Sequence, residues 1–522
     1  MMFENMTLRE KVAQMMMVQI NPDKHKKEFG SIKNFLEEYP VGGIFVGAEI
    51  IRETKNSKEE IKEFIQEYSE ASKFPLLVAA DGENGFGGIH GCHTFGEAIA
   101  IGTAGSEELA YQSAVLTALE GREIGINWDF SPVCDLSINK YNRIIPTRTY
   151  GCDPDAASAL VNQIIRGYQE NGLIATGKHF PGDGVDHRNQ HLMPTYNTLP
   201  MEEWKQKSGK VFQGAIDHGL LSMMIGHIGL PAYQQDRIKG HCPPATLSHD
   251  LITKLLKGEM GFKGVAVSDA LDMGGFTRWY YERDEAEIKA FEAGIDMLLW
   301  PHLITLDNIT KRLESGEIPM SRLEDALSRL AYIRSKTYFG AQPGEDVSER
   351  ACKVAKEIYK RSSYIVANEL NLIPLEKNGY KKIKIVGMAP EAEECMTLTK
   401  RLAGEFQQYC PDAEIEVTRN WDNYLNDHRT EVDRSYDLLV FASFYGCEHP
   451  TEMFREDELS AHSALSFDRD KTLILSFQSP YLYKEYFETA ETYVNSHKSA
   501  MHECVEALFG DLEFLGKPAV KL

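Results

Sequence analysis

Residues 173–184 read LIATGKHFPGDG, an apolar, β-branched run that stops on Lys178 and His179 and then meets a Pro/Gly turn. Such a run reads as a buried strand, because apolar side chains on both sides of the chain need a cover on both faces. A lysine and a histidine at its end are groups that can donate to sugar hydroxyls, although capping a surface turn is the competing reading. Similar runs lie at Gln14–Ile20, Val41–Val46, Pro75–Ala80, Ile126–Val133, Leu220–Ile225, Gly264–Val267 and Ile295–Trp300. Helical candidates separate them, at Lys58–Ser72, Ser106–Glu123, Ala156–Asn171, Glu202–His218, Ser248–Gly258 and Asp284–Ala293. Eight strands with intervening helices predict a (β/α)8 barrel. No Gly-rich dinucleotide fingerprint follows the first strand, which argues against an open doubly wound sheet.

Several strand ends carry polar, reactive groups. Asp81 and Glu83 follow the third run, Asp135 the fourth, His227 the sixth and Asp269 the seventh. In a (β/α)8 barrel these ends converge on one face, where active sites are built. Asp135 taken alone reads rather as a helix cap or a hydrogen-bonded loop residue than as a functional group. The stretch 264–275, GVAVSDALDMGG, delivers Asp269 to that face, and a carboxylate there can form a covalent glycosyl ester. Asp272, farther past the strand, reads as structural.

Turn-rich residues 341–350 (AQPGEDVSER) read as a linker between a barrel domain, residues 1–340, and a smaller α/β domain, residues 351–522. In that second part a helix is expected from Ser348 to about Val366, with strands at Ile383–Gly387, Leu438–Phe444 and Leu473–Phe477.

The balance of 56 basic against 78 acidic residues, a net charge of -22, disfavours nucleic acid and anionic membranes as partners while leaving neutral sugars indifferent. The N-terminus lacks the basic and apolar regions of a signal peptide, and no apolar run is long enough to span a bilayer. The nine cysteines are scattered without a C-x-x-C pair, so a cytoplasmic protein with reduced thiols is expected. Residues 89–93, IHGCH, hold three possible metal ligands too close together to wrap one ion, and read as a loop. Neither metal nor organic cofactor is expected, and the sequence carries no signal for oligomeric state.

Taken together, Lys178–Gly184, Gly264–Gly274, Gly125–Asp135 (GINWDFSPVCD), Arg148–Pro154 (RTYGCDP) and Ala293–Trp300 (AGIDMLLW) resemble the signatures of glycoside hydrolase family 3, nearest in flavour to its bacterial β-N-acetylglucosaminidases. The resemblance runs from TLREKVAQM (7–15) to NLIPL (371–375) and ALFGDLEFLGKPAV (507–520), which look like the family's C-terminal α/β sandwich. It implies a retaining exo-β-glycosidase with Asp269 as nucleophile. Asp81, Arg148, Lys178 and His179 would hold the sugar's hydroxyls, and His227 joins the candidate binding set. The branch's general acid/base, a histidine on the loop after K-H-F-P-G, falls on His191. An imidazole with an ordinary pKa of about 6.5 suits that task, and it does not repel an attacking phosphate.

The pattern breaks at Asn189, where an aspartate normally partners the histidine. An amide can orient the ring but cannot stabilise the imidazolium by charge. Three explanations fit: Asp183 or Asp186 takes over, the enzyme is slow, or the asparagine replaces an original aspartate. Asp183 stands where the relatives usually have His, and Asp81–Gly88 (DGENGFGG) lacks a common Arg; both departures bear on which sugar is bound. Trp279, Tyr280 and Tyr281 are candidate stacking residues, whereas Trp128 and Trp300 read as core. The alternatives are a β-glucosidase, a glycoside phosphorylase of the same family, and a carbohydrate-binding protein impaired in catalysis.

Overall fold

The computed structural model describes residues 3–389, 391–419, 436–446, 469–483 and 487–522. The chain divides into two compact units. The first comprises Met1–Phe95, Glu107–Asn139 and Asp153–Cys352; the second comprises Gly96–Ser106, Lys140–Cys152 and Lys353–Leu522.

The first unit is built on eight strands: β1 (Met16–Gln19), β2 (Gly43–Val46), β3 (Leu77–Ala80), β4 (Trp128–Asp129), β5 (Thr176–Phe180), β6 (Ser222–Ile225), β7 (Val265–Ser268) and β8 (Leu298–Leu299). Each lies within or across one of the eight apolar runs. Strands β8-β1-β2-β3-β4 and β5-β6-β7 form two parallel sheets in that order. Two parallel bridges, Trp128↔Ile174 and Val267↔Met297, join them into a closed ring. The strands are short and buried at nearly every position, as expected when side chains fill the inside and helices cover the outside.

Two local outcomes differ from the sequence reading. Strand β5 runs through Lys178 and His179 instead of ending before them, and its register with β6 shifts between Gly177 and Phe180. The helix expected over 202–218 is two helices, Met201–Gln206 and Ser208–Asp217, broken at Lys207. The buried Trp204 lies just before the break. Its indole N–H donates to the Pro181 carbonyl at 2.8 Å, and a Cβ on Gly209 would lie 2.8 Å from its ring. The tryptophan thereby ties this helix pair to the Pro/Gly turn after β5.

In the second unit, six strands pair in the order β9-β14-β13-β12-β10-β11, where β9 is Tyr364–Asn368, β10 Lys382–Met388, β11 Glu414–Arg419, β12 Leu438–Ser443, β13 Thr472–Ser476 and β14 Thr492–Asn495. All pairings are parallel except β9 with β14. Along β12, Leu438, Val440 and Ala442 enter one apolar cluster while Leu439 and Phe441 enter another. The period-two alternation thus buries both faces, which makes this unit a sandwich.

Gly42, just before β2, shows how tightly the ring is closed. It donates to the Ala13 carbonyl, and a Cβ there would stand 2.1 Å from the carbonyl oxygen of Gln14. Backbone cannot yield as a side chain does. Gly42→Ala should therefore lower the thermal midpoint by several degrees, a destabilisation of about 2 kcal/mol or more, measurable by thermal melting; an unchanged midpoint would contradict this packing.

Candidate active site at the strand ends

The C-terminal ends of β3 to β7 bring most of the expected residues together. Lys178, only 2 % exposed, points its Nζ at Asp81 Oδ1 (2.9 Å) and Glu83 Oε1 (2.6 Å). Two carboxylates around one buried ammonium offset the cost of removing it from water. The residue between them is also fixed, since Gly82 N–H donates to Asp129 Oδ1 at 2.6 Å. Asp129 is fully buried, and burial pushes its carboxyl up to about 7.

Asp135 proves to be more than a cap. Its Oδ2 accepts from the His179 backbone N–H (3.1 Å) and faces His179 Nδ1 (2.7 Å), while Oδ1 accepts from Asp183 N–H (2.7 Å). A carboxylate against Nδ1 fixes the proton there and leaves Nε2 for another partner. The strand-end pattern had flagged Asp135 and Glu83; what it could not supply was which neighbouring strand they serve.

Asp269 follows β7, with 9 % of its surface exposed. Burial alone would raise its pKa, but His179, His227, the Ala270 N–H and His191 outweigh it and hold the carboxyl below its ordinary value. The Ala270 N–H donates to Oδ1 at 2.8 Å. His227 stands behind this turn: Nε2 pairs with the Ala270 carbonyl (2.9 Å) and Nδ1 with Thr246 Oγ1 (3.0 Å). Both ring nitrogens are thus engaged within the protein, and burial lowers the ring's pKa. His227 braces the Asp269 turn and offers no ring nitrogen to a sugar, which corrects its expected place in the binding set.

The loop after β5 docks against the segment after β7. Gly274 N–H donates to the His191 carbonyl (2.7 Å) and Gly275 N–H to the Gln190 carbonyl (3.0 Å). A Cβ on Gly274 would lie 2.3 Å from the Leu192 carbonyl oxygen, and one on Gly275 2.6 Å from that of Gln190. The pair Gly274-Gly275 is the sequence signal for this docking. Buried Gln190 also accepts from His227 N–H at 2.8 Å.

Within the loop, Asn189 Oδ1 lies 2.8 Å from both the backbone N and Nδ1 of His191. The backbone N–H must donate, so the amide oxygen faces the ring, Nδ1 carries the proton and Nε2 is the atom left to exchange one. Asp186 is occupied elsewhere. It pairs with the Arg188 guanidinium and accepts from Tyr196 N–H. Burial opposes its ionisation, yet Arg188 and these backbone donors hold it below its ordinary value. Asp183 Oδ1 accepts from Gly184 N–H.

Arg148 is carried by Lys140–Cys152, a segment of the second unit. Trp128 is core, its indole N–H bonded to Thr176 Oγ1 (2.7 Å). Trp300, expected as core, instead lines a 390 Å³ cavity at the strand ends together with Phe45, Phe86 and Asp81. In the 89–93 loop, His93 Nδ1 lies 2.5 Å from Glu120 Oε1, and burial pushes the Cys92 thiol up to about 12. Among the described residues no cluster of three or more His, Cys, Asp or Glu is arranged to hold a metal ion.

Comparison with known proteins agrees with this geometry. Residues 7–333 match the glycosyl hydrolase family 3 N-terminal domain. The chain is 28 % identical over 480 residues to a beta-N-acetylglucosaminidase/beta-glucosidase of Cellulomonas fimi, covering 85 % of this chain and 83 % of that one. It is 30 % identical over 273 residues to a beta-hexosaminidase of Nitrosospira multiformis, covering 50 % and 72 % respectively. A solved beta-glucoside phosphorylase superposes with a TM-score of 0.85 at 25 % identity, covering 99 % of this chain and 94 % of that one. A beta-N-acetylglucosaminidase from Paenibacillus sp. str. FPU-7 shares the fold, with a TM-score of 0.81 at 23 % identity and 99 % of each chain covered. With more than half of the chain matched and the strand-end residues assembled, this protein belongs to glycosyl hydrolase family 3.

Proposed function

We propose that the protein is a retaining exo-β-glycosidase acting on small β-linked glycosides of N-acetylglucosamine or a related hexose. The observation that carries this reading is Asp269: a strand-end carboxylate kept ionised against its burial by the imidazoles of His179, His227 and His191. Asp269 Oδ2 attacks the anomeric carbon while Oδ1 is held by the Ala270 N–H. His191 Nε2 gives a proton to the leaving oxygen, and the neutral ring later takes one from the water that opens the glycosyl ester. Asp81, Lys178 and His179 Nε2 hold the hydroxyls. Asn189 sets the ring's tautomer without adding charge, and the reaction needs no metal or organic cofactor.

A second acceptor, phosphate, is favoured by the same geometry. With asparagine in place of aspartate, the acid/base side of the site lacks a carboxylate that would repel an incoming anion. A cytoplasmic location goes with this reading. The eight described cysteines form no disulfide, and no helix among the described residues is long and apolar enough to cross a membrane.

Labelling, variant kinetics and pH profiles test the proposal. Incubation with a 2-fluoro glycoside should leave a stable adduct that peptide mass spectrometry finds on Asp269, and Asp269→Ala should lower turnover of aryl β-glycosides by roughly three orders of magnitude or more. An adduct elsewhere, or unaltered turnover, would overturn the assignment. Asp135→Asn removes the charge that fixes the His179 tautomer and should raise KM for the same glycosides about tenfold with a smaller change in kcat, because His179 binds and does not transfer a proton. Asn189→Asp places a negative charge against the His191 ring. An opposite charge favours the protonated form, so the alkaline limb of kcat/KM should move to higher pH, by about one unit or less at this exposed position. A shift to lower pH would exclude His191 as the acid. Asp269 should not set the acid limb near neutrality, because its pKa is displaced downward and the carboxylate survives below the ordinary aspartate range.

A further inference from the structure

Beside the docked loop lies a cavity of about 320 Å³ that the reaction above does not use. Its cations come from three consecutive strand-end segments: Arg188 after β5, Lys239 after β6 and Arg278 after β7. Tyr196 and Trp279 supply aromatic walls, and no Asp or Glu lines it. In a chain with 78 acidic against 56 basic residues this inverts the prevailing charge. Arg188 already pairs with Asp186 and lies over the Tyr196 ring. Neither Lys239 nor Arg278 has a carboxylate within ion-pair distance among the described residues.

Lys239 is held with some strain. Ile238 and His241 exchange both backbone hydrogen bonds, N to O at 2.9 and 3.0 Å, across a two-residue turn. That turn requires positive φ at both central positions, and Lys239 takes φ 52 beside Gly240 at 82. Glycine or asparagine suits such a position better than lysine. The wall on the docked loop is equally specific. Met193, two residues after His191, lines the cavity, and the Trp279 indole N–H donates to the carbonyl of Gly275, whose own N–H holds the docked loop.

We propose that this cavity binds an anionic group, a carboxylate or phosphate ester, carried on the leaving part of the substrate. The inference rests on the glycosidase reading, in which the leaving group departs on the His191 side. Two cations against an anion in a partly enclosed site form charge-assisted bonds strong enough to separate charged from neutral leaving groups. The preferred substrates would then be glycosides of sugar acids or of phosphorylated sugars.

Chitobiose and chitobionate, its reducing-end aldonate, differ only at the leaving sugar. The native protein should cleave chitobionate with kcat/KM about tenfold higher, mainly through KM, and the advantage should shrink as salt is added. The double substitution K239A/R278A should abolish that preference while turnover of chitobiose stays within twofold. Equal cleavage of both sugars by the native protein, or a preference that survives the double substitution, would overturn the proposal. So would a result in which the substitution weakens saturation by inorganic phosphate but leaves the chitobionate preference intact, since the occupant would then be free phosphate. Calorimetric binding of both disaccharides to D269A protein reads the cavity without turnover. If no β-glycoside is cleaved by the native protein, the glycosidase reading fails, and tighter chitobionate binding to D269A still decides the anion site.

Discussion

The site is organised around a cation that water hardly reaches. Lys178 keeps its charge inside the barrel mouth because Asp81 and Glu83 lie within hydrogen-bond distance of its ammonium group. Removing both acids would leave the buried ammonium without a counter-charge, which costs about 3–5 kcal/mol in comparable cases. The constraint reaches beyond the pair. Asp81, Gly82 and Glu83 are consecutive, and Gly82 is pinned by Asp129 from β4. One loop after β3 is therefore fixed by β4 and β5 together, before any sugar binds. A hydroxyl entering this mouth meets donors and acceptors whose positions are already determined, so little ordering remains to be done at binding.

Much of this arrangement was legible in the sequence because the physical signal was local. Each barrel strand lies in or across a short apolar run buried on both faces, and several lead to polar groups that are buried in their turn. The same logic found β10, β12 and β13 in the second unit. It missed β9 and β11, which lie at the edges of the sheet. There one face is partly solvated and residues such as Glu414-Ile415-Glu416-Val417 alternate instead of running apolar. It also missed the short β14.

The site residues divide along a similar line. Asp269, Lys178 and His179 announced themselves by type and place. His227 announced itself equally well but faces its own turn, because whether an imidazole is consumed by protein partners depends on Thr246 and Ala270, one distant in sequence and the other on a neighbouring strand end. Asp135 shows the converse. Taken alone it was ambiguous, and its role became defined only when β4 and β5 were brought side by side and its two oxygens met three groups of the K-H-F-P-G-D stretch. Trp300 ends a run of apolar residues and so looked like core, yet that end is the mouth of the barrel.

Asn189 is best understood through what surrounds it. An aspartate beside His191 would add a third carboxylate to a loop already holding Asp183 and Asp186, in a protein of net charge -22. With asparagine, the ring keeps its orientation through the same oxygen geometry while the imidazolium loses electrostatic support. Proton donation then becomes easier, because a less stabilised imidazolium is the stronger acid, and proton abstraction becomes harder by the same amount. In the proposed mechanism the glycosylation step would gain and the hydrolytic step would lose. An acceptor that needs no deprotonation, such as a phosphate dianion, escapes that loss. On the proposed mechanism the amide would shift the balance between acceptors instead of merely weakening a dyad, and its one link to the nucleophile would run through His191, which acts on Asp269 beside His179 and His227.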